Sequence, residues 1–149
     1  PKAYLRYPGS YSAISEFTGG RFQEVIDDRF AGDPAKVKKV LFCSGKIYFE
    51  LAERQVKDNR KDIAIIRLEQ LYPLPTVQLD ELYKKYMNAT WFWIQEEPLN
   101  MGAASFLQMN LKNINYGFIS RQPGASPATG YAKVHAQEQA EIIETAFSI

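Results

Sequence analysis

The sequence predicts a three-layer α/β/α domain with a mainly parallel sheet over residues 36–149. Three observations point to it. Short apolar runs recur near 37–43, 63–68 and 90–95, each closed by a turn signal. Segments with helical spacing, about 10–15 residues long, separate them. The runs are apolar at consecutive positions, as expected of strands covered on both faces. Alternation of this kind builds right-handed βαβ units. At 149 residues the chain makes one domain with one sizeable core.

The elements follow in order. Residues 1–35 read as a linker that packs on a neighbour. Pro8-Gly9-Ser10, Gly19-Gly20 and Gly32-Asp33-Pro34 punctuate it, and Leu5, Ile14, Phe17, Phe22, Val25, Ile26 and Phe30 keep no period. A short strand is expected at Lys2–Arg6. Val37 to Cys43 form the first buried strand, and Ser44-Gly45 turns the chain. Ile47, Tyr48, Leu51, Ala52, Gln55 and Val56 then mark the inner face of a helix that Asp58-Asn59 stops. Ile63 to Leu68 form the second strand. Pro73 and Pro75 fix the next loop, and Thr76 is expected to cap a helix turning Leu79, Leu82, Tyr83, Tyr86 and Met87 inward. Thr90 to Gln95 form a third strand whose Trp91, Phe92 and Trp93 suit a pleated, buried surface, one face of which is open to a partner. Glu96-Glu97-Pro98 is expected to break the chain, with Pro98 in the first turn of a helix bearing Ala103, Ala104, Leu107 and Leu111. Tyr116 to Arg121 form a fourth strand, and a loop rich in Gly, Pro and Ala (122–130) leads to a last helix. That helix has Val134, Ile142, Ile143, Ala146 and Phe147 apolar and residues 137–139 solvated.

Composition narrows the function classes. A 46% hydrophobic and 23% charged content is that of a soluble globular domain. The net charge of +1 argues against non-specific nucleic-acid binding, which needs an excess of cations over phosphates. One cysteine, Cys43, excludes an internal disulfide and any multi-cysteine zinc site, and it fits a reducing compartment. Cys43 ends an apolar run and reads as an inert core thiol. The single histidine, His135, excludes two-histidine metal motifs and reads as a capping or interface side chain. No stretch reaches the roughly 18 apolar residues of a membrane span. The start Pro1-Lys2-Ala3-Tyr4 lacks an initiator Met and a signal-peptide pattern, and the chain reads as a piece of something longer.

The usual catalytic signatures fail residue by residue. Lys46 follows a Gly, but a phosphate loop also needs Gly at the position of Val40 and Ser or Thr at Ile47. Gly124-Ala125-Ser126 opens like a nucleophile elbow, but Ala128 stands where the closing Gly belongs. The Gly-x-Gly-x-x-Gly pattern is absent, and Gly32-Asp33 is followed by Pro34 and not by Gly. What remains is topology, since pockets in open parallel sheets form beyond the carboxyl ends of the strands. Ser44, Gly45 and Lys46 fall there after the first strand, Arg67 and Glu69 at the second, Gln95, Glu96 and Glu97 at the third and Arg121 at the fourth. Ser44-Gly45 opening a helix, with Lys46 beside it, is a candidate anion site; alternatively Gly45 only turns the chain and Lys46 is solvated. Glu96 and Glu97 are a candidate catalytic or metal-binding pair; alternatively, since adjacent residues point apart, they are acidic residues favoured by a helix start.

The same segments carry a family resemblance. Leu41-Phe42-Cys43-Ser44-Gly45-Lys46 followed by Tyr48 resembles the first strand and turn of the C-terminal domain of 2-oxoglutarate dehydrogenase E1 components. The likeness continues through residues 66–75 (Ile-Arg-Leu-Glu-Gln-Leu-Tyr-Pro-Leu-Pro) and 95–102 (Gln-Glu-Glu-Pro-Leu-Asn-Met-Gly). It recurs in Arg121 with Ala125 to Tyr131, in His135, and in Pro1 to Pro8, where Tyr4 and Tyr7 replace the commoner Ser and His. The resemblance implies a transketolase-type C-terminal domain in a homodimeric enzyme of the tricarboxylic acid cycle that uses thiamine diphosphate and Mg²⁺. The intact E1 decarboxylates 2-oxoglutarate and passes the succinyl group to lipoyl groups of the E2 dihydrolipoyl succinyltransferase, in the bacterial cytoplasm or the mitochondrial matrix. Its cofactor is held by preceding domains, so the resemblance implies no catalytic, cofactor or metal residue on these 149 positions. The partners it implies are the other E1 domains, the second E1 copy and E2, with no nucleic acid and no membrane. Some relatives bind a nucleotide or acyl-CoA effector here. Ser44, Gly45, Lys46 and Arg121, with Arg67 behind them, are the implied phosphate contacts. A regulatory nucleotide or acyl-CoA module, or an E1 acting on another 2-oxo acid, is the alternative.

Overall fold

A computed structural model describes residues 4–148. In it β1 (Val25–Ile26), β2 (Lys39–Cys43), β3 (Ile63–Leu68), β4 (Thr90–Pro98) and β5 (Tyr116–Arg121) form one sheet in the order β1-β3-β2-β4-β5. All neighbours are parallel except β1, which pairs antiparallel with β3. The helices are α1 (Ile14–Thr18), α2 (Ile47–Lys57), α3 (Thr76–Lys85), α4 (Ala104–Asn110) and α5 (Ala132–Phe147).

Strand alternation sorts the core into two layers. Val40, Phe42, Ala64, Ile66, Trp91 and Trp93 face the side of α3 and α4, where Leu79, Tyr86 and Leu107 meet them. Leu41, Cys43, Ile63, Ile65, Ile94 and Ile119 face α2 and α5, meeting Ile47, Leu51, Ile142 and Phe147. The sheet is thus covered on both sides, as its unbroken apolar runs require. No helix among the described residues is long and apolar enough to cross a membrane.

Several local expectations are corrected. The strand expected at Lys2–Arg6 is a turn over residues 4–6, and its first residues lie outside the described ones. The segment 1–35 instead supplies β1, which closes one sheet edge, and the short helix α1. Thr76 does not cap α3: Pro75 holds that place, Thr76 is already in the first turn, and no side-chain cap bond forms. Val56 and Met87 are exposed: Val56 falls at the rim of the apolar stripe of α2, and Met87 lies in the turn beyond the end of α3. Pro98 does not begin a helix. β4 runs on through it, with a register shift between Ile94 and Pro98, and α4 starts only at Ala104. Glu138 and Gln139 are half-buried, not solvated, because Arg121 draws both inward.

Two adjacent carboxylates fix β1. Asp28 Oδ2 accepts from Gln55 Nε2 at 2.7 Å and from the Ile65 amide at 2.6 Å, and Oδ1 accepts from the amides of Phe30 and Ala31. Asp27 reaches across the sheet edge to Lys85 and to the Tyr86 hydroxyl, 2.9 Å away. One side chain therefore pins the strand to the α2 layer and the next to the α3 layer.

Candidate functional site

From β2 the chain crosses by α2 to β3 on one side; β4 lies on the other side of β2. The strand order therefore reverses between β2 and β4, where open parallel sheets leave a crevice. A cavity of about 510 Å³ occupies that place, bounded by Ser44, Gly45, Trp93, Gln95, Gly102 and Phe106. Its glycines have a backbone reason: Gly45 at φ 78° and Gly102 at φ 66° lie in the left-handed region, and a Cβ on Gly102 would sit 3.1 Å from Gln95. Gln95 is the keystone. Its Oε1 accepts from Trp93 Nε1 at 2.9 Å and the Ala104 amide at 3.1 Å, while Nε2 donates to the carbonyls of Pro98 and Met101 at 3.0 and 2.8 Å. A buried amide satisfied at both ends holds the β4–α4 loop rigid.

Alternation at the end of β4 points Glu97 toward the crevice and Glu96 toward α2, so the two carboxylates do not act as a pair. Glu96 pairs with Lys46, whose Nζ also lies 3.6 Å from Glu50. Burial pulls the Lys46 ammonium down, but the hydrogen bond and charge of Glu96, with Glu50, outweigh it and raise its pKa. The chain of contacts continues. Glu50 accepts from Gln139 Nε2 at 3.0 Å, and Gln139 Oε1 accepts from Arg121 Nη2 at 3.4 Å. Arg121 is buried, with Nε 3.2 Å from Glu138 and Nη2 3.1 Å from His135 Nδ1; Glu138 in turn accepts from the Thr129 hydroxyl.

The structure thus links two of the expected phosphate contacts, Lys46 and Arg121, through Glu50 and Gln139. Arg67 stands outside that chain. It donates to Glu69 at 2.9 Å, lies 4.5 Å over the Tyr48 ring, and walls a separate cavity of about 920 Å³ beside the N-terminal segment. Ser44 and Gly45 face the crevice, not the cation network. Each cation already has a carboxylate partner, so an anion binding here would compete with Glu96, Glu69 or Glu138 for its charge. Among the described residues no group of three or more His, Cys, Asp or Glu side chains is arranged to hold a metal ion.

Residues 11–147 match the family described as 2-oxoglutarate dehydrogenase C-terminal. The chain belongs to the 2-oxoglutarate dehydrogenase C-terminal family. Its relatives include the 2-oxoglutarate dehydrogenase E1 component of Haemophilus influenzae, 40% identical across 99% of this chain and 16% of the relative. The oxoglutarate dehydrogenase of Buchnera aphidicola is 39% identical across 100% of the chain and 17% of its own length. The multifunctional 2-oxoglutarate metabolism enzyme of Mycolicibacterium vanbaalenii is 42% identical across 99% and 13%. The chain therefore spans about a sixth of the length of the first two.

In this member of the family several of the segments that carried the resemblance reach the carboxyl edge of the sheet. Ser44, Gly45, Gln95, Glu97, Gly102 and Leu71-Tyr72 meet at the crevice, and Arg121 and Thr129 meet at Glu138 of α5. Sequence reasoning missed Gln95 as the loop's anchor, and Glu50, Glu138 and Gln139 as partners of the cations. Only Glu50 left a signal, its i,i+4 spacing from Lys46.

Proposed function

We propose that the chain serves as the C-terminal domain of a 2-oxoglutarate dehydrogenase E1 component. The observation that carries this is the match of nearly the whole chain to about a sixth of such enzymes at close to 40% identity. In this reading the intact E1 performs the thiamine-diphosphate-dependent and Mg²⁺-dependent decarboxylation of 2-oxoglutarate and succinyl transfer to the lipoyl groups of E2. The present residues contribute assembly with the other E1 domains and the second E1 copy. Residues 1–35 are then the connection to the domain before it, and residues 36–149 the domain proper. The bacterial relatives support a cytoplasmic place; in a eukaryote this reading would put the domain in the mitochondrial matrix. The test is direct: the 149-residue chain supplied with 2-oxoglutarate, thiamine diphosphate, Mg²⁺ and an artificial electron acceptor shows no turnover. A clear rate above background contradicts the reading.

A second role, reception of a nucleotide or acyl-CoA phosphate, is supported by the link between Lys46 and Arg121, two cations in one network at the sheet's carboxyl edge. Ser44 and Gly45 would shape the crevice next to it, and Arg67 would serve the cavity on its far side. Calorimetry with AMP and with acetyl-CoA tests it. Heat that Lys46→Ala abolishes supports the role, and no heat at millimolar ligand removes it for this chain.

A further inference from the structure

The parallel strands β2 to β5 all begin at one edge of the sheet, and each connecting helix returns the chain to it. Lysine gathers there. Lys36 and Lys38 precede β2, Lys61 precedes β3, Lys57 and Lys84 lie in the last turns of α2 and α3, and Lys112 stands between α4 and β5. Backbone bonds tie these places together: the Lys38 amide donates to the Asp62 carbonyl at 2.8 Å, and the Thr90 amide to the Lys38 carbonyl at 2.9 Å. All six lysines are exposed, and among the described residues none has a carboxylate within salt-bridge distance. A helix dipole favours cations at Lys57 and Lys84, but it gives no reason for Lys38 and Lys61 at strand starts.

Other cations meet the fold's own needs at this edge. Arg54 takes Asp58 and Glu144, Arg60 takes Asp62 and the Phe147 carbonyl, Lys39 takes the carbonyls of Ala146 and Ser148, and Lys85 takes Asp27. Of the remaining acids nearby, Asp33 turns one oxygen to the Ala35 amide and Glu81 lies a turn back along α3. Beyond the six lysines, the other twelve cations of the chain face all seventeen acids, a balance of −5, so a net charge of +1 conceals one strongly positive edge. Two apolar side chains share it: Met87 and Met109, 76% and 65% exposed, stand three residues from Lys84 and Lys112 respectively. We propose that the amino edge of the sheet docks an acidic segment, bearing apolar side chains, of a separate protein. The lysines draw and orient that segment, and the methionines give it adaptable apolar contact. Three spacings of about 4.8 Å across β3, β2, β4 and β5 make the surface roughly 15 Å wide, which about five extended residues span. A second copy does not fit, because a twofold contact would set lysine against lysine. A nucleic acid fits less well, because exposed methionines offer nothing to a phosphate backbone. The inference stands whether or not the chain serves an E1.

The probe is a fluorescein-labelled peptide of about twelve residues in which Glu-Asp pairs alternate with Leu, followed by anisotropy with the 149-residue chain at about 50 mM salt. Saturable binding that weakens as salt rises is expected. Lys38→Glu and Lys61→Glu should each weaken it about fivefold or more, whereas Lys133→Glu should leave it within about twofold. That control makes the same charge change on an exposed residue at the start of α5, on the opposite edge. Met87→Ser with Met109→Ser should weaken the peptide about threefold or more, a loss that charge alone does not produce. No saturable binding, or equal weakening by Lys133→Glu, overturns the proposal. So does tighter binding of a mixed-sequence DNA duplex or of phosphatidylserine vesicles, or a dimer in sedimentation that Lys38→Glu dissolves.

Discussion

Cys43 shows how one buried atom sets a pH dependence. Burial on the α2 side of β2 pushes its thiol up to about 12 from an ordinary 9.0, and the nearby Arg67 does not offset it. Between those values the unfolded chain sheds the proton and the folded chain keeps it. The unfolded state then binds fewer protons, so stability falls with rising pH, by up to ~1.4 kcal/mol per unit. Tyr86, held up to about 12 by burial and then by Asp27, acts in the same direction. Denaturant midpoints measured across this alkaline window should decline, and Cys43→Ala should flatten part of the decline. An unchanged slope in that variant contradicts the assignment. The inertness of Cys43 was legible in the sequence, because a thiol closing an apolar run of strand spacing has nowhere polar to go. The partners of Lys46 were legible only in part. Glu50 is one helical turn away, whereas Glu96 is 50 positions distant and arrives only through the pairing of β2 with β4.

At the scale of elements, long periodic segments were readable and short tertiary ones were not. α2 and β3 satisfy their patterns on their own sequence, so their bounds agree with expectation to within a residue or two. β1 has two residues, too few for any alternation to register. It exists because Asp27 and Asp28 bind opposite layers of the domain. Asp28→Ala leaves the Ile65 amide without an acceptor and Gln55 Nε2 with the Ile63 carbonyl alone, and should cost ~1–3 kcal/mol. Hydrogen exchange at Ile65 should quicken with it, while amides in β5 keep their protection. Equal loss of protection in both strands would show that the carboxylate supports the whole fold and not the β1 edge. Pro98 misled for a related reason. A proline opens helices readily, but it also ends strands where its missing N–H meets no partner, and the buried Gln95 amide decides between the two by holding the loop that follows.

For the whole molecule, the alternation of strands and helices foretold the parallel sheet, and the place of the crevice followed from its strand order. Which side chains converge there did not follow, because the i to j distances are set by packing: Arg67 and Arg121 both lie near strand ends on the α2–α5 side, yet only Arg121 joins the network of Lys46. If this chain is an E1 C-terminal domain, it should work in place of a relative's own. The decisive measurement is 2-oxoglutarate decarboxylation by the Haemophilus influenzae E1 component with its matching segment replaced by these 149 residues. Turnover within about tenfold of the parent enzyme, ~1.4 kcal/mol in barrier, is the predicted result. A soluble, folded chimera no more active than the parent lacking that segment would contradict the account.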